Sequence, residues 1–234
     1  MIDRNDILVV IPARGGSKGV PKKNIKLLDG KPLIHYSIST ALQYFRPEQI
    51  IVSTDDPEIK ASAESAGLTV PFLRPSELAA DHSGTYEVLL HVLEATKNMG
   101  YAYTKLLLLQ PTSPFRKLQH IKDIIENWDE TLDMVVSVGI SKQNPYFSLY
   151  EENALGLLSK SKEGNFERRQ DVPPCYYYNG SMYLINVESL KKSPLHQFKR
   201  IKKYVMDELY CLDIDTPLDF AFCELVLQKE LVQL

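Results

Sequence analysis

Ile7-Leu8-Val9-Val10-Ile11-Pro12-Ala13-Arg14-Gly15-Gly16-Ser17-Lys18-Gly19-Val20-Pro21-Lys22-Lys23-Asn24 is the stretch on which the fold turns. Its first five residues are apolar, mostly β-branched and closed off by Pro12, which is how a short strand buried in a parallel sheet reads. The strand runs into a loop holding Gly15, Gly16 and Gly19 together with Arg14, Lys18, Lys22 and Lys23. Glycine lets backbone N–H groups approach an anion closely and the cations supply countercharge, so the loop predicts a phosphate-bearing ligand. Its spacing is neither the G-x-x-x-x-G-K-[ST] of an ATPase phosphate loop nor the G-x-G-x-x-G of a dinucleotide fold. A basic surface turn that binds nothing is the competing reading.

Outward from that stretch, strand-like runs recur at 50–54, 69–72, 105–109 and 133–138, with helical segments between them. This is the βαβ rhythm, and it predicts an α/β fold: a doubly wound, mostly parallel sheet covered on both faces. Tyr86, Leu89, Leu90 and Leu93 fall at the i, i+3, i+4, i+7 offsets, as do Ile121, Ile124, Ile125 and Trp128, so two helices should lay these stripes on the sheet. Thr216-Pro217-Leu218-Asp219 has the capping-box pattern with Pro at the first helical position. A last helix is expected there, with Leu218, Phe222, Leu225 and Val226 on one face.

A chain of 234 residues suits one such domain, spanning 1–234, plus an excursion. The excursion is expected over 139–180, where the rhythm fails and Tyr146, Phe147, Tyr150, Phe166, Tyr176, Tyr177 and Tyr178 accumulate. Such rings bury either against a second subunit or back on their own domain. A net charge of −3 with 44% hydrophobic and 24% charged residues describes an ordinary globular protein, with nothing that calls for nucleic acid or a membrane. Cys175, Cys211 and Cys223 have no C-x-x-C spacing, so neither a disulfide framework nor a zinc cluster is indicated and a cytoplasmic setting is expected. No apolar run near the start has the length of a signal sequence, and Met1 is expected to begin the mature chain.

Ligands of open parallel sheets sit beyond the carboxyl ends of the strands. The residues that follow the expected strands are polar or cationic: the loop at 14–24, Ser53-Thr54-Asp55-Asp56, Arg74, and Gln110-Pro111-Thr112-Ser113-Pro114. Asp55 and Asp56 before Pro57 read first as a helix start. In Leu212-Asp213-Ile214-Asp215, alternation along a strand would put two carboxylates on one face. Two such acids repel unless a cation lies between them, which suits Mg²⁺; a solvated strand end with a capping acid is the alternative. None of the five histidines has a metal-ligand or serine-nucleophile spacing, and His82 is a pocket-lining or solvated loop residue.

With these residues in view, residues 11–24 resemble the signature of the acylneuraminate cytidylyltransferases. Further blocks of that family are similar in order: Val52-Ser53-Thr54-Asp55, Arg74-Pro75-Ser76-Glu77-Leu78-Ala79, Leu109-Gln110-Pro111-Thr112-Ser113-Pro114-Phe115-Arg116, Asn179-Gly180-Ser181-Met182-Tyr183 and Asp213-Ile214-Asp215-Thr216. The resemblance implies a Rossmann-like nucleotide-diphospho-sugar transferase core whose excursion makes a homodimer. It implies a reaction in which CTP and a nonulosonic acid give a CMP-sugar and pyrophosphate, the sugar's anomeric hydroxyl attacking the α-phosphorus. By the same resemblance Arg14, Gly15, Ser17 and Lys23 would hold the triphosphate, and Asn24, Arg74 and Thr85 the cytidine. Asp213 and Asp215 would hold Mg²⁺, so that Arg14, Lys23, Asp213 and Asp215 form the catalytic set. Gln110, Arg169, Tyr177 and Asn179 would meet the sugar.

The family's bacterial sialic acid enzymes carry an Arg two residues before the Asn-Gly block, whereas this chain has Tyr177. Without that guanidinium one bidentate carboxylate clamp is missing, so the implied sugar is either N-acetylneuraminic acid or a legionaminic-type relative. Two other readings stand beside this one: an enzyme for the eight-carbon acid KDO or another sugar on the same scaffold, and a non-catalytic nucleotide-binding protein.

Overall fold

The computed structural model describes residues 3–79 and 84–234. Its strands are β1 (Ile7–Pro12), β2 (Leu27–Leu28), β3 (Lys31–Pro32), β4 (Ile50–Ser53), β5 (Lys105–Leu109), β6 (Met134–Ile140), β7 (Tyr150–Glu152), β8 (Leu158–Lys160), β9 (Tyr176–Asn186) and β10 (Ile201–Val205). The helices are α1 (Leu33–Leu42), α2 (Pro57–Ser65), α3 (Thr85–Asn98), α4 (Leu118–Glu126), α5 (Val187–Lys192) and α6 (Pro217–Gln228). One sheet runs in the order β10-β6-β9-β5-β1-β4. β1 pairs in parallel with β4 and β5, β10 pairs in parallel with β6, and β9 alone opposes its neighbours β5 and β6.

Alternation along β1 sends Ile7, Val9 and Ile11 to one face and Leu8 and Val10 to the other, and each face carries its own core. Leu33, Ile59, Ile124 and Phe220 bring α1, α2, α4 and α6 onto the first face, while Leu89, Val92 and Leu190 bring α3 and α5 onto the second. A strand buried on both sides has to be apolar at every position, which is why residues 7–11 show no polar alternation. The result is the doubly wound, mostly parallel α/β sheet that the sequence rhythm predicts. Asp56 caps α2 through Glu58 N, with Pro57 in the first turn.

Four expectations change. Residues 69–72 are extended but outside the sheet, because Pro71 has no N–H to give to a ladder; the segment is tied back where Arg74 N donates to Thr54 O at 2.7 Å. The excursion at 139–180 rejoins the sheet before its end, since β9 begins at Tyr176. Asn179 and Gly180, the latter at a φ of +77°, interrupt that strand's pattern at a bulge opposite Val136 and Val138. Residues 212–215 form an extended loop and not a strand. Finally, α6 buries Phe220, Cys223 and Val226 and leaves Leu218, Phe222 and Leu225 exposed. Its capping box, in which Asp219 Oδ2 accepts from Thr216 N at 2.7 Å, starts the helix in a rotation that puts Phe220 beneath the Lys26 ammonium.

Candidate active site

The loop that β1 delivers is fastened to three other segments. Gly15 N donates to Asp55 Oδ1 at 3.1 Å, joining the loops after β1 and β4. Asn24 is buried, and its amide donates to Arg14 O at 3.0 Å, which closes the loop on itself. Ser17 N turns back onto Gly15 O at 3.0 Å. Lys22 adopts a left-handed φ of 51°, a costly conformation for a residue with a Cβ, and its ammonium lies 2.6 Å from Glu58 on α2. That turn directs the next side chain inward: Lys23 is buried, donates to the Ile214 carbonyl and lies 3.3 Å from Asp215 Oδ1. At Gly19 an added Cβ would strike the Asp215 carbonyl oxygen, so only glycine permits this approach of cationic loop to acidic loop.

Arg74 reaches the same sheet edge from the segment after α2. Buried, it donates from Nε to Ser53 Oγ at 3.1 Å and from Nη2 to Ser53 O. Burial pulls its pKa down, Asp55 opposes that shift, and Arg14 adds to it. The influence of Arg14 on Arg74 places two guanidiniums at the ends of β1 and β4, an arrangement suited to a polyanion.

Across from them, Asp213 and Asp215 flank the buried Ile214, as alternation predicts, although no strand is present. The segment hangs from the turn after β5: Ile214 N donates to Thr112 O at 2.8 Å, and Ser113 Oγ donates to Asp213 Oδ1 at 3.2 Å. Asp213 is exposed, yet the surrounding protein wall desolvates its carboxyl and pushes the pKa up. The Asp215 charge acts in the same direction, while hydrogen bonds from Thr112 and Ser113 oppose it. Among the described residues no third His, Cys, Asp or Glu joins them. Two carboxylates of this kind fit an ion that completes its shell with water and phosphate oxygens, as Mg²⁺ does, and do not fit a closed protein cage.

Gln110 sits beside this turn, hydrogen-bonded to the Tyr183 hydroxyl. Burial pushes the Tyr183 phenol up to about 12, helped by the Asp213 charge, so it remains protonated at neutral pH. Thr85, Tyr86, Gln110, Tyr183, Leu195 and His196 line a cleft of about 530 Å³. Thr85, expected at the cytidine, is the first residue of α3 and shares this cleft with Gln110. The other three residues expected at the sugar lie apart from it. Tyr177 lays its ring over Gly139, bonds Cys211 and lines a second cleft of about 500 Å³ bounded by residues 139–142 and 205–208. Arg169 is exposed and donates to Lys142 O at 2.7 Å beside that second cleft. Asn179 is buried, with its amide spent on Ser137, Ser181, Met206 and Cys211, where it holds the β9 bulge. His82 lies outside the described residues.

Sequence reasoning missed Gly19 and Tyr183 as site residues. Gly19 carried no signal beyond its place in the loop, because its role depends on a contact nearly two hundred residues away in sequence. Tyr183 carried no distinct signal either, because β9 also holds Tyr176, Tyr177 and Tyr178 and nothing in its pattern singles out one ring.

Comparison with known proteins identifies the family. The family described as Cytidylyltransferase matches residues 8–233. The CMP-N,N'-diacetyllegionaminic acid synthase of Legionella pneumophila is 35% identical over 223 residues, covering 95% of this chain and 96% of that protein. An N-acylneuraminate cytidylyltransferase of Escherichia coli is 35% identical over 231 residues, covering 97% of this chain but 53% of its own length. In fold, the chain is similar to CMP:2-keto-3-deoxy-manno-octonic acid synthetase solved in complex with CTP, with a TM-score of 0.70 at 18% identity over 96% of this chain and 99% of that one. A family match over nearly the whole chain, with relatives at 35% identity, shows that the chain belongs to the cytidylyltransferase family of nucleotidyltransferase enzymes.

Proposed function

We propose that this enzyme transfers the cytidylyl group of CTP to the anomeric hydroxyl of a nonulosonic acid of the legionaminic or neuraminic type, releasing pyrophosphate. The observation that carries the reading is the meeting of residues 14–24, Arg74 and the 213–215 loop beside the cleft of Gln110 and Tyr183. The backbone N–H groups and cations of residues 14–23 neutralise the triphosphate and the departing pyrophosphate, the main requirement of in-line phosphoryl chemistry. Asn24 and Arg74, both buried and pinned to backbone carbonyls, form the rigid wall against which the cytidine is read. Gln110 orients the sugar, with Thr85 and Tyr183 beside it. Asp213 and Asp215 would hold a divalent cation, which supplies charge neutralisation and acidifies the attacking hydroxyl. Lys23 fixes the spacing between the two loops.

The match along almost the whole length of a legionaminic acid synthase favours a legionaminic-type acid among the nonulosonates. The excursion between β6 and β9 fits a dimerisation arm. The β7–β8 hairpin exposes Leu157, Leu158 and, at 82%, Leu155, side chains that bury only against another surface. Substituting Asp213→Ala tests the catalytic reading against nucleotide sensing alone. Turnover is expected to fall on the order of 10³-fold while CTP affinity changes by no more than about threefold, because charge compensation in the transition state is lost and base recognition is kept. Normal turnover in that variant would remove Asp213 from the reaction.

A further inference from the structure

Arg116 lies outside both clefts and is 1% exposed, the bulkiest of the fully buried side chains. Burial pulls its guanidinium down to about 9, and among the described residues no carboxylate pairs with it. Its partners are neutral oxygens. Nε donates to Ser181 Oγ at 3.1 Å and Nη1 to Ser37 Oγ at 3.0 Å. Nη2 meets Gln110 O at 3.0 Å, Ser113 O at 3.1 Å and Ser181 O at 2.9 Å. A buried charge without a counterion is costly, and a scaffold alone would be served as well by an apolar side chain of similar volume. What an apolar side chain cannot do is collect three carbonyl oxygens and two hydroxyls at fixed angles.

Those acceptors belong to the segments that carry the site. Gln110 and Ser113 bound the turn after β5, Ser181 follows the β9 bulge, and Ser37 stands on α1. Through the turn, Arg116 reaches both reactant positions: Gln110 contributes its side chain to the sugar cleft, while Thr112 O and Ser113 Oγ hold Ile214 N and Asp213. Among the described residues it makes no hydrogen bond to residues 14–24 or Arg74, so the nucleotide wall is held without it. We propose that Arg116 is the positioning residue that sets Gln110 and Asp213 in register with each other, and that removing its planar fork uncouples sugar orientation from nucleotide binding.

This inference rests on the cytidylyl-transfer reading, and the test separates the two. Wild-type turnover with CTP and a nonulosonic acid establishes the reading; the variants then address Arg116. In Arg116→Lys, which keeps the charge and loses the fork, kcat is expected to fall about tenfold or more and KM for the sugar acid to rise several-fold. The dissociation constant for CTP, measured by calorimetry on the folded fraction, is expected to stay within about twofold, since the nucleotide wall is untouched. Ser37→Ala and Ser181→Ala each remove a single hydroxyl acceptor and keep the fold independent of Arg116 replacement; they should move the same two parameters in the same directions by smaller factors. The proposal is overturned if folded Arg116→Lys retains wild-type kcat and sugar KM. It is equally overturned if, in the serine variants, activity follows only the folded fraction, or if CTP affinity falls in parallel with kcat.

Discussion

The loop after β1 and the excursion between β6 and β9 both leave the carboxyl edge of the sheet, and they are built in opposite ways. In the first, Gly15, Lys22, Lys23 and Asn24 are each tied to a named partner, and Gly19 leaves no room for a methyl group. In the second, the β7–β8 hairpin holds itself by its own ladder and gives Leu155, Leu157 and Leu158 to solvent. A loop that meets charge must be preorganised, because dipoles that reorient during reaction lose their advantage. A loop that meets another protein surface needs only exposed apolar area and enough reach.

The comparison breaks most readily at Lys23. Lys23→Met removes the ammonium that joins residues 14–24 to the 213–215 loop and leaves the buried Ile214 carbonyl without its donor. Turnover is expected to drop on the order of 10²- to 10³-fold, read as kcat/KM for CTP, as for loss of a positioned charge at a reacting phosphate. Gly19→Ala should act through geometry alone. Its Cβ displaces the Asp215 backbone, costing about 1–3 kcal/mol in denaturant unfolding and a measurable share of turnover.

A smaller effect depends on pH and tests the scaffold under both regions. His120 on α4 packs edge-on against Tyr210, and burial, reinforced by Lys117, pulls its pKa down to about 4. The unfolded chain, with the imidazole near 6.5, therefore binds the proton more readily than the folded one. Its contribution is fully present above about pH 6.5 and is lost as pH falls toward 4, on the order of 2 kcal/mol by linkage. Thermal melts of His120→Gln should show a flatter slope through that window. In the excursion, Leu155→Asp with Leu157→Asp should alter folding stability by no more than about 0.5 kcal/mol, as surface changes do. On the proposed dimer-arm reading, sedimentation should nevertheless shift from dimer to monomer; an unchanged assembly would take the arm role away from this hairpin.

How much of this was legible in the sequence follows the same division. Residues 7–24 declared a buried strand and a loop dense in glycine and cations, because burial on both faces and such a local cluster leave marks within a few residues. The carboxylates of Asp213 and Asp215 were legible as a pair even though the expected strand is a loop, since any extended backbone alternates its side chains. β9 was hidden because its first residues are tyrosines and its bulge carries Asn179 and Gly180. The exposed face of α6 was hidden because Leu218, Phe222 and Leu225 are as apolar as the buried set, and only the cap geometry chooses between them. The division of the sugar-directed residues between two clefts depends on which side of β9 each tyrosine faces, and that is fixed by register with β6.

The central claim is tested most directly by measuring pyrophosphate release from CTP with Mg²⁺ against N-acetylneuraminic, di-N-acetyllegionaminic, pseudaminic and KDO acids in parallel. The account predicts preferential turnover of an acylated nonulosonate, with the legionaminic acid foremost. Turnover of KDO alone, or CTP binding with no release from any acid of the panel, would contradict it.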